Sequence, residues 1–315
     1  MMSGKMKLVI TESKDFSKTA IEELRKYFDV SIFDIFEKNQ LIECIKDAHT
    51  IFIRLKHNID KAVITECPNL KYILTATTGL DHIDTVYFKQ IGGKIISLKN
   101  ELEFLSTIPS TAEFTWALLL ASTKKIPFAY NHVMQDNWDR DSFKGNNLKG
   151  KKLGIIGLGR IGKQVSEYAK VFGLEVGYYD VVFFESEITR FDHLIDLCKW
   201  SDIITIHVPL MDETTNLLNE ECFNHLKRDV IIINTSRGKV VNEYALISFL
   251  KNNTQAKYAT DVICNEYDPN NNILVKYMKN NSNIIITPHI AGATYESMES
   301  TENFIARKLI KQLHD

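Results

Sequence analysis

The 315-residue chain predicts an α/β fold built on two doubly wound parallel sheets. Three observations carry that expectation. From Lys7 to Leu98 short β-rich runs alternate with amphipathic stretches. Near the middle an apolar run leads into a glycine-spaced turn and then a helix. Beyond Asp180 the alternation of strand and helix resumes.

In the first part, Leu8–Ile10, Val30–Phe33, Thr50–Ile53, Tyr72–Leu74 and Ile95–Leu98 read as strands, with Ser17–Phe28 and Asn39–Lys46 as helices between them. No glycine-spaced phosphate loop occurs there, which points to a substrate-holding domain, 1–100 completed by 290–315, beside a dinucleotide domain at 101–289. Ligands of open α/β sheets bind beyond the carboxyl ends of strands, where backbone amides receive a carboxylate. Thr78 and Gly79, in the stretch Thr75–Asp84 after a strand, are therefore candidate substrate contacts. The same stretch also reads as a plain turn with Asp81 capping a helix. Arg54, at the end of the third strand, is a second candidate anion contact.

Ser110 opens a long, nearly all-apolar helix, with Glu113 completing a capping box, and such a helix is buried. Residues 136–150 read as a loop. The run from Lys152 then enters Gly157-Leu-Gly-Arg-Ile-Gly162. Gly157 allows a tight turn, Gly159 lets backbone N–H groups approach a pyrophosphate, and Gly162 lets helix pack closely on strand. Ile161, Val165, Ala169 and Phe172 keep helical spacing, and Gly173 stands where a C-terminal cap belongs. The strand Glu175–Tyr179 ends at Asp180, about 20 residues past the loop, where a carboxylate holds an adenosine ribose. Asp180 would repel a 2′-phosphate, and Val181, Val182 and Phe183 offer no arginine to neutralise one, so the cofactor is expected to be NAD rather than NADP. The alternative is a solvated Asp closing a strand.

Ile203–Val208, Val230–Asn234, Lys257–Thr260 and Ile284–Thr287 read as later strands, and a helix from Tyr295 to Leu313 is expected to return to the first domain. Three of these strand ends carry a matching set: Arg237, then Asp261 and Glu266, then His289. Moving hydride to a carbon that bears oxygen requires a proton at that oxygen. An imidazole suits this, a neighbouring carboxylate stabilises the imidazolium, and a guanidinium grips a substrate carboxylate in bidentate fashion. Singly, each residue reads as structural; jointly, on successive strand ends, they read as chemistry.

Composition bounds the partners. A net charge of −2 gives no basic field for nucleic acid or an anionic membrane. The polar stretch at residues 1–7 has no signal-peptide core, and no apolar run nears the roughly 18 residues of a membrane helix, so a cytoplasmic protein is expected. Five scattered cysteines without C-x-x-C spacing suggest buried, reduced thiols and no metal site.

The chain resembles the D-isomer-specific 2-hydroxyacid dehydrogenases. The likeness rests on Gly157–Gly162, Val208-Pro-Leu210 with Thr214, Asn234-Thr-Ser-Arg-Gly238, Asp261-Val262 followed by Glu266, and Thr287-Pro-His-Ile-Ala-Gly-Ala-Thr294. It implies a Rossmann cofactor domain, a flavodoxin-like substrate domain, and a homodimer formed through the cofactor domains. It implies hydride transfer between NAD(H) and a 2-oxo acid/(R)-2-hydroxy acid pair, with His289 as acid/base, Glu266 as its partner and Arg237 orienting the substrate carboxylate. Gly157, Gly159, Arg160, Ile161 and Gly162 would meet the pyrophosphate and Asp180 the ribose. Thr235 and Asp261 would line the nicotinamide pocket, with Pro209, Thr214 and Gly292 completing the cofactor site. Two departures fall on the substrate side. Thr77 stands where a glycine is common, and 99–109 lacks the usual Asn-x-Pro approach to the long helix. A second reading on the same fold is an NAD-responsive, corepressor-like dimeric sensor, against which the intact Arg237, Glu266 and His289 argue. Related enzymes acting on formate or phosphite share the cradle.

Overall fold

A computed structural model describes residues 5–314. Residues 1–4, which carry part of the signal-peptide reading, and residue 315 lie outside the described residues. The chain forms two compact units, Met1–Thr107 with Ala293–Asp315, and Ile108–Gly292.

The first unit runs β1 (Met6–Ile10), α1 (Lys18–Arg25), β2 (Phe28–Ile32), α2 (Lys38–Ile45), β3 (Thr50–Ile53), α3 (Lys61–Thr65), β4 (Tyr72–Thr75), α4 (Thr85–Gln90), β5 (Lys94–Ile96) and α5 (Leu102–Ser106). Its five strands are parallel in the order β2-β1-β3-β4-β5, the flavodoxin-like arrangement. Ser17, Asp60 and Asp84 cap α1, α3 and α4 through their side chains, so the cap after the Thr78 loop is Asp84 and not Asp81.

The second unit begins with α6 (Ser110–Thr123) and α7 (Ile126–Met134), then β6 (Lys152–Ile156), α8 (Arg160–Val171), β7 (Glu175–Tyr179), β8 (Thr189–Arg190) and α9 (Leu194–Trp200). It continues with β9 (Ile203–Ile206), α10 (Glu220–His225), β10 (Ile231–Asn234), α11 (Glu243–Asn252), β11 (Lys257–Thr260), α12 (Ile273–Met278) and β12 (Ile284–Ile286). The order β12-β11-β10-β9-β6-β7-β8 is all parallel and reverses direction at β6, as in the Rossmann fold. β9 and β10 are buried at every residue. Helices cover both faces of such a sheet, so a strand inside it is read from a nearly continuous β-branched run rather than from alternation.

The capping box expected at Ser110 does not form. Pro109 takes helical backbone angles (φ −92°, ψ −18°) at the cap, so Ser110 falls inside the first turn, its hydroxyl buried with no partner among the described residues. Trp116, Leu118 and Leu119 of α6 are buried, whereas Ala117 is exposed. α7 was not legible in the sequence. Lys125 breaks α6 with a left-handed backbone (φ 56°), and Pro127 in the next turn restarts a helix. None of α7 is buried: Ile126, Tyr130, Val133 and Met134 are exposed, as is Trp138 beyond it.

The closing helix α13 (Tyr295–His314) packs within the first unit, where Ile305, Ala306 and Leu309 are fully buried and Phe304 stacks on Phe104 at 4.1 Å. Among the described residues no helix is long and apolar enough to cross a membrane. All five cysteines are free.

Candidate active site and cofactor cradle

β10, β11 and β12 lie side by side with Asn234, Thr260 and Ile286 in register, so the three segments that follow leave one edge of the sheet together. Neighbouring strands are about 4.8 Å apart, which puts residues one to three positions past those ends within side-chain reach of one another. Arg237, Asp261 and His289 thus follow the same end of three neighbouring strands.

His289 is three residues past β12, in the left-handed region (φ 54°), and its Nδ1 lies 2.6 Å from Oε2 of Glu266. Glu266 follows a second left-handed residue, Asn265 (φ 58°). Such angles are uncommon for residues other than glycine and persist only where surrounding bonds hold them. For Glu266 the bracing comes from residues that carried no sequence signal. Buried Glu243 accepts from Cys264 N (2.7 Å) and from Asn272 Nδ2 (2.9 Å), and Asn272 also donates to Cys264 O (2.8 Å). Burial pushes the Glu243 carboxyl up, opposed by those hydrogen bonds.

Arg237 is half-buried in a turn organised by Asn234, whose Oδ1 accepts from Ser236 N (2.9 Å) and whose Nδ2 donates to Arg237 O (3.0 Å). Gly238 must be glycine: a Cβ there would stand 2.0 Å from the carbonyl carbon of Ile263. Thr235 is buried, its hydroxyl 2.7 Å from that of Thr115. Asp261, expected in the nicotinamide pocket, has its carboxylate engaged by the segment that carries His289: Thr287 Oγ1, Ile290 N and Ala291 N all donate to it.

The glycine loop fits a dinucleotide. Gly157 has φ 93°, and a Cβ there would meet His207 O at 2.9 Å; a Cβ at Gly162 would meet Gly157 O at 2.2 Å. Gly159 caps α8 without a side chain and faces open space, leaving the helix N-terminus free to receive an anion. Arg160 and Ile161 open α8, and Arg160 Nη1 donates to Ile108 O at 3.1 Å. Asp180 tightens the cradle by accepting from Leu158 N (2.8 Å) and Val182 N (2.9 Å). An arginine does approach from β8: Arg190 Nη2 lies 3.5 Å from Asp180 O, brought there by strand pairing and not by sequence proximity. Thr214 donates to Pro209 O (2.6 Å) and ties the turn after β9, while Gly292 faces open space.

His207, between β9 and Pro209, is half-buried, but both ring nitrogens are shut off from solvent with no partner among the described residues, and this desolvation pushes its imidazole down to about 3. An unfolded imidazole titrates near about 6.5. Between those values the unfolded chain binds a proton that the folded chain refuses. Stability therefore rises with pH through this window and is lost as pH falls below about 6.5, by up to about 1.4 kcal/mol per pH unit. Raised Glu243 works in the opposite sense above 4.5. Urea midpoints are expected to drop from pH 6.5 to pH 5, and His207→Gln to flatten that slope. An unchanged slope in the variant would assign the acid sensitivity elsewhere.

The substrate-side candidates lie in the first unit. Thr77 hydroxyl donates to Gly79 O (2.8 Å) and lies 3.0 Å from Thr75 Oγ1, shaping the loop in place of the common glycine. Among the described residues neither Thr78 N nor Gly79 N has an acceptor. Arg54 is tied within the first unit. Its Nε and Nη2 donate to Glu302 Oε1 at 2.8 and 2.6 Å, and its Nη1 to Lys14 O at 2.8 Å, so the guanidinium anchors α13 to the end of β3. Burial pushes Glu302 up while Arg54 pulls it down.

Residues 116–291 match the family model described as D-isomer specific 2-hydroxyacid dehydrogenase, NAD binding domain. The chain is 33% identical over 98% of its length to a D-3-phosphoglycerate dehydrogenase of Methanocaldococcus jannaschii, spanning 57% of that relative. It is 32% identical to a glyoxylate reductase of Aeropyrum pernix, over 91% of this chain and 89% of the relative. A D-lactate dehydrogenase from Aquifex aeolicus, solved with NAD and lactic acid, superposes with a TM-score of 0.80 at 28% identity, covering 98% of this chain and 95% of that one. The glycine cradle thus belongs to an NAD-binding domain.

Proposed function

Because this chain belongs to the D-isomer-specific 2-hydroxyacid dehydrogenase family, we propose that it interconverts a 2-oxo acid and its (R)-2-hydroxy acid. The observation that carries the reading is the 2.6 Å contact of His289 with Glu266 on the sheet edge that also presents Arg237. Gly157, Gly159, Arg160, Ile161, Gly162 and Asp180 would hold NAD(H), with Pro209, Thr214, Thr235 and Gly292 around it, and the cofactor when bound would supply or accept the hydride. Glu266 binds Nδ1 of His289, which fixes the ring and leaves Nε2 to exchange the proton of the substrate oxygen. Arg237 holds the substrate carboxylate and polarises the adjoining carbonyl. In the first unit, acting as the substrate domain, the backbone amides of Thr78 and Gly79 are candidate substrate contacts; Arg54 we assign to structure. The test is NADH and NADPH consumption with a panel of 2-oxo acids, including phosphorylated ones. Tight NADH binding with no turnover of any of them would favour the sensor instead.

Two further results are expected. Asp180→Ala removes the ribose acceptor and leaves Arg190 nearby, so NADH KM should rise and NADPH use should improve. An unchanged cofactor preference would refute the ribose assignment. The exposed apolar side of α7 would be covered by a second copy of the chain, forming a homodimer through the NAD-binding units. Val133→Asp should shift the sedimentation coefficient toward monomer. A wild-type chain that sediments as a monomer would remove this part of the proposal.

A further inference from the structure

We infer that Asp261 is a positioning residue for His289, holding the general acid/base in its left-handed backbone. This rests on the acid/base role proposed above and assigns Asp261 work other than lining the cofactor pocket. The Asp261 side chain is 1% exposed, yet its carboxylate accepts three hydrogen bonds, all from residues on either side of His289. Oδ1 takes Thr287 Oγ1 at 2.5 Å and Ile290 N at 3.0 Å, and Oδ2 takes Ala291 N at 2.7 Å. The backbone closes the clamp, since His289 N donates to Asp261 O at 2.9 Å. Four bonds from one residue thus reach positions 287, 289, 290 and 291.

A carboxylate with so many donors is strongly held, and buried polar groups are costly to leave without their partners. The bonds converge on a residue whose φ of 54° is unfavourable for a β-substituted side chain. Releasing them lets His289 relax toward ordinary backbone angles, which swings the ring away from Glu266. An amide in place of the carboxylate cannot preserve the clamp. It has one acceptor, and its NH2 would face a backbone N–H, donor against donor.

The experiment compares Asp261→Asn, Thr287→Val and Thr287→Ser with the parent at saturating NADH. A 1 Å displacement of a catalytic group costs on the order of 10²-fold, so Asp261→Asn should lower kcat by about that factor. Its NADH dissociation constant, read by fluorescence, should stay at the parental value. Thr287→Val should lower kcat less, and Thr287→Ser, which keeps the hydroxyl, should restore it. A rise in the NADH dissociation constant with parental kcat would overturn the inference and make Asp261 a cofactor ligand. If Asp261→Asn does not fold, parental kcat in Thr287→Val would equally overturn it. NMR of 13C-labelled histidine in the cofactor-free protein separates this from failure of the proposed activity. The His289 ring signal, identified by its loss in His289→Gln, should shift or split in Asp261→Asn even if no 2-oxo acid is turned over. An unmoved signal would overturn the clamp.

Discussion

His289→Ala is expected to reduce kcat for 2-oxo acid reduction by about 10²–10⁴-fold, the usual worth of a positioned proton donor. NADH affinity should persist, because the pyrophosphate and ribose contacts are assigned to the β6–α8 turn and Asp180, and His289 is not among the cofactor contacts. The contact at 2.6 Å means that Glu266→Gln should be milder than His289→Ala, since it removes the partner and keeps the ring. Steady-state rates with NADH and the best substrate of the panel check both. A His289→Ala enzyme with the parental rate would move the acid/base role to another residue.

Arg237→Ala is expected to have the second largest effect. Removing one member of a desolvated, hydrogen-bonded charge pair costs roughly 2–5 kcal/mol, so kcat/KM for a 2-oxo acid should fall by about 30-fold to several thousand-fold. Lysine should not substitute well, because a point charge does not reproduce two parallel N–H bonds to a carboxylate. Most of the loss should appear in KM, with NADH binding unaffected. A loss confined to NADH affinity would make Arg237 a cofactor residue.

Most of the fold was legible because buried parallel strands announce themselves. Thr50–Ile53, Glu175–Tyr179 and Lys257–Thr260 fall at their expected bounds, and the glycines at 157 and 162 answer to turn and packing demands that a side chain would not meet. What escaped was set by tertiary contacts. α7 has a sequence that buries nothing in its own chain, so it lacks the one-sided periodicity by which a helix is recognised. Ser110 looked like a cap until Pro109 took helical angles before it. The ion pair of Arg54 escaped because Glu302, its partner, is 248 positions away. The roles of Glu243, Asn272 and Asp261 depend on which backbone amides fold back onto them, and no spacing rule encodes that.

The seven-stranded sheet tapers at both margins, with only two residues in β8 and three in β12. Few backbone donors and acceptors are left open at those rims, and Arg190 charges one of them, so the sheet is a poor template for strand-on-strand growth. Self-association should therefore stop at a closed pair rather than run on into fibrils, even at the high concentrations at which long, open rims aggregate.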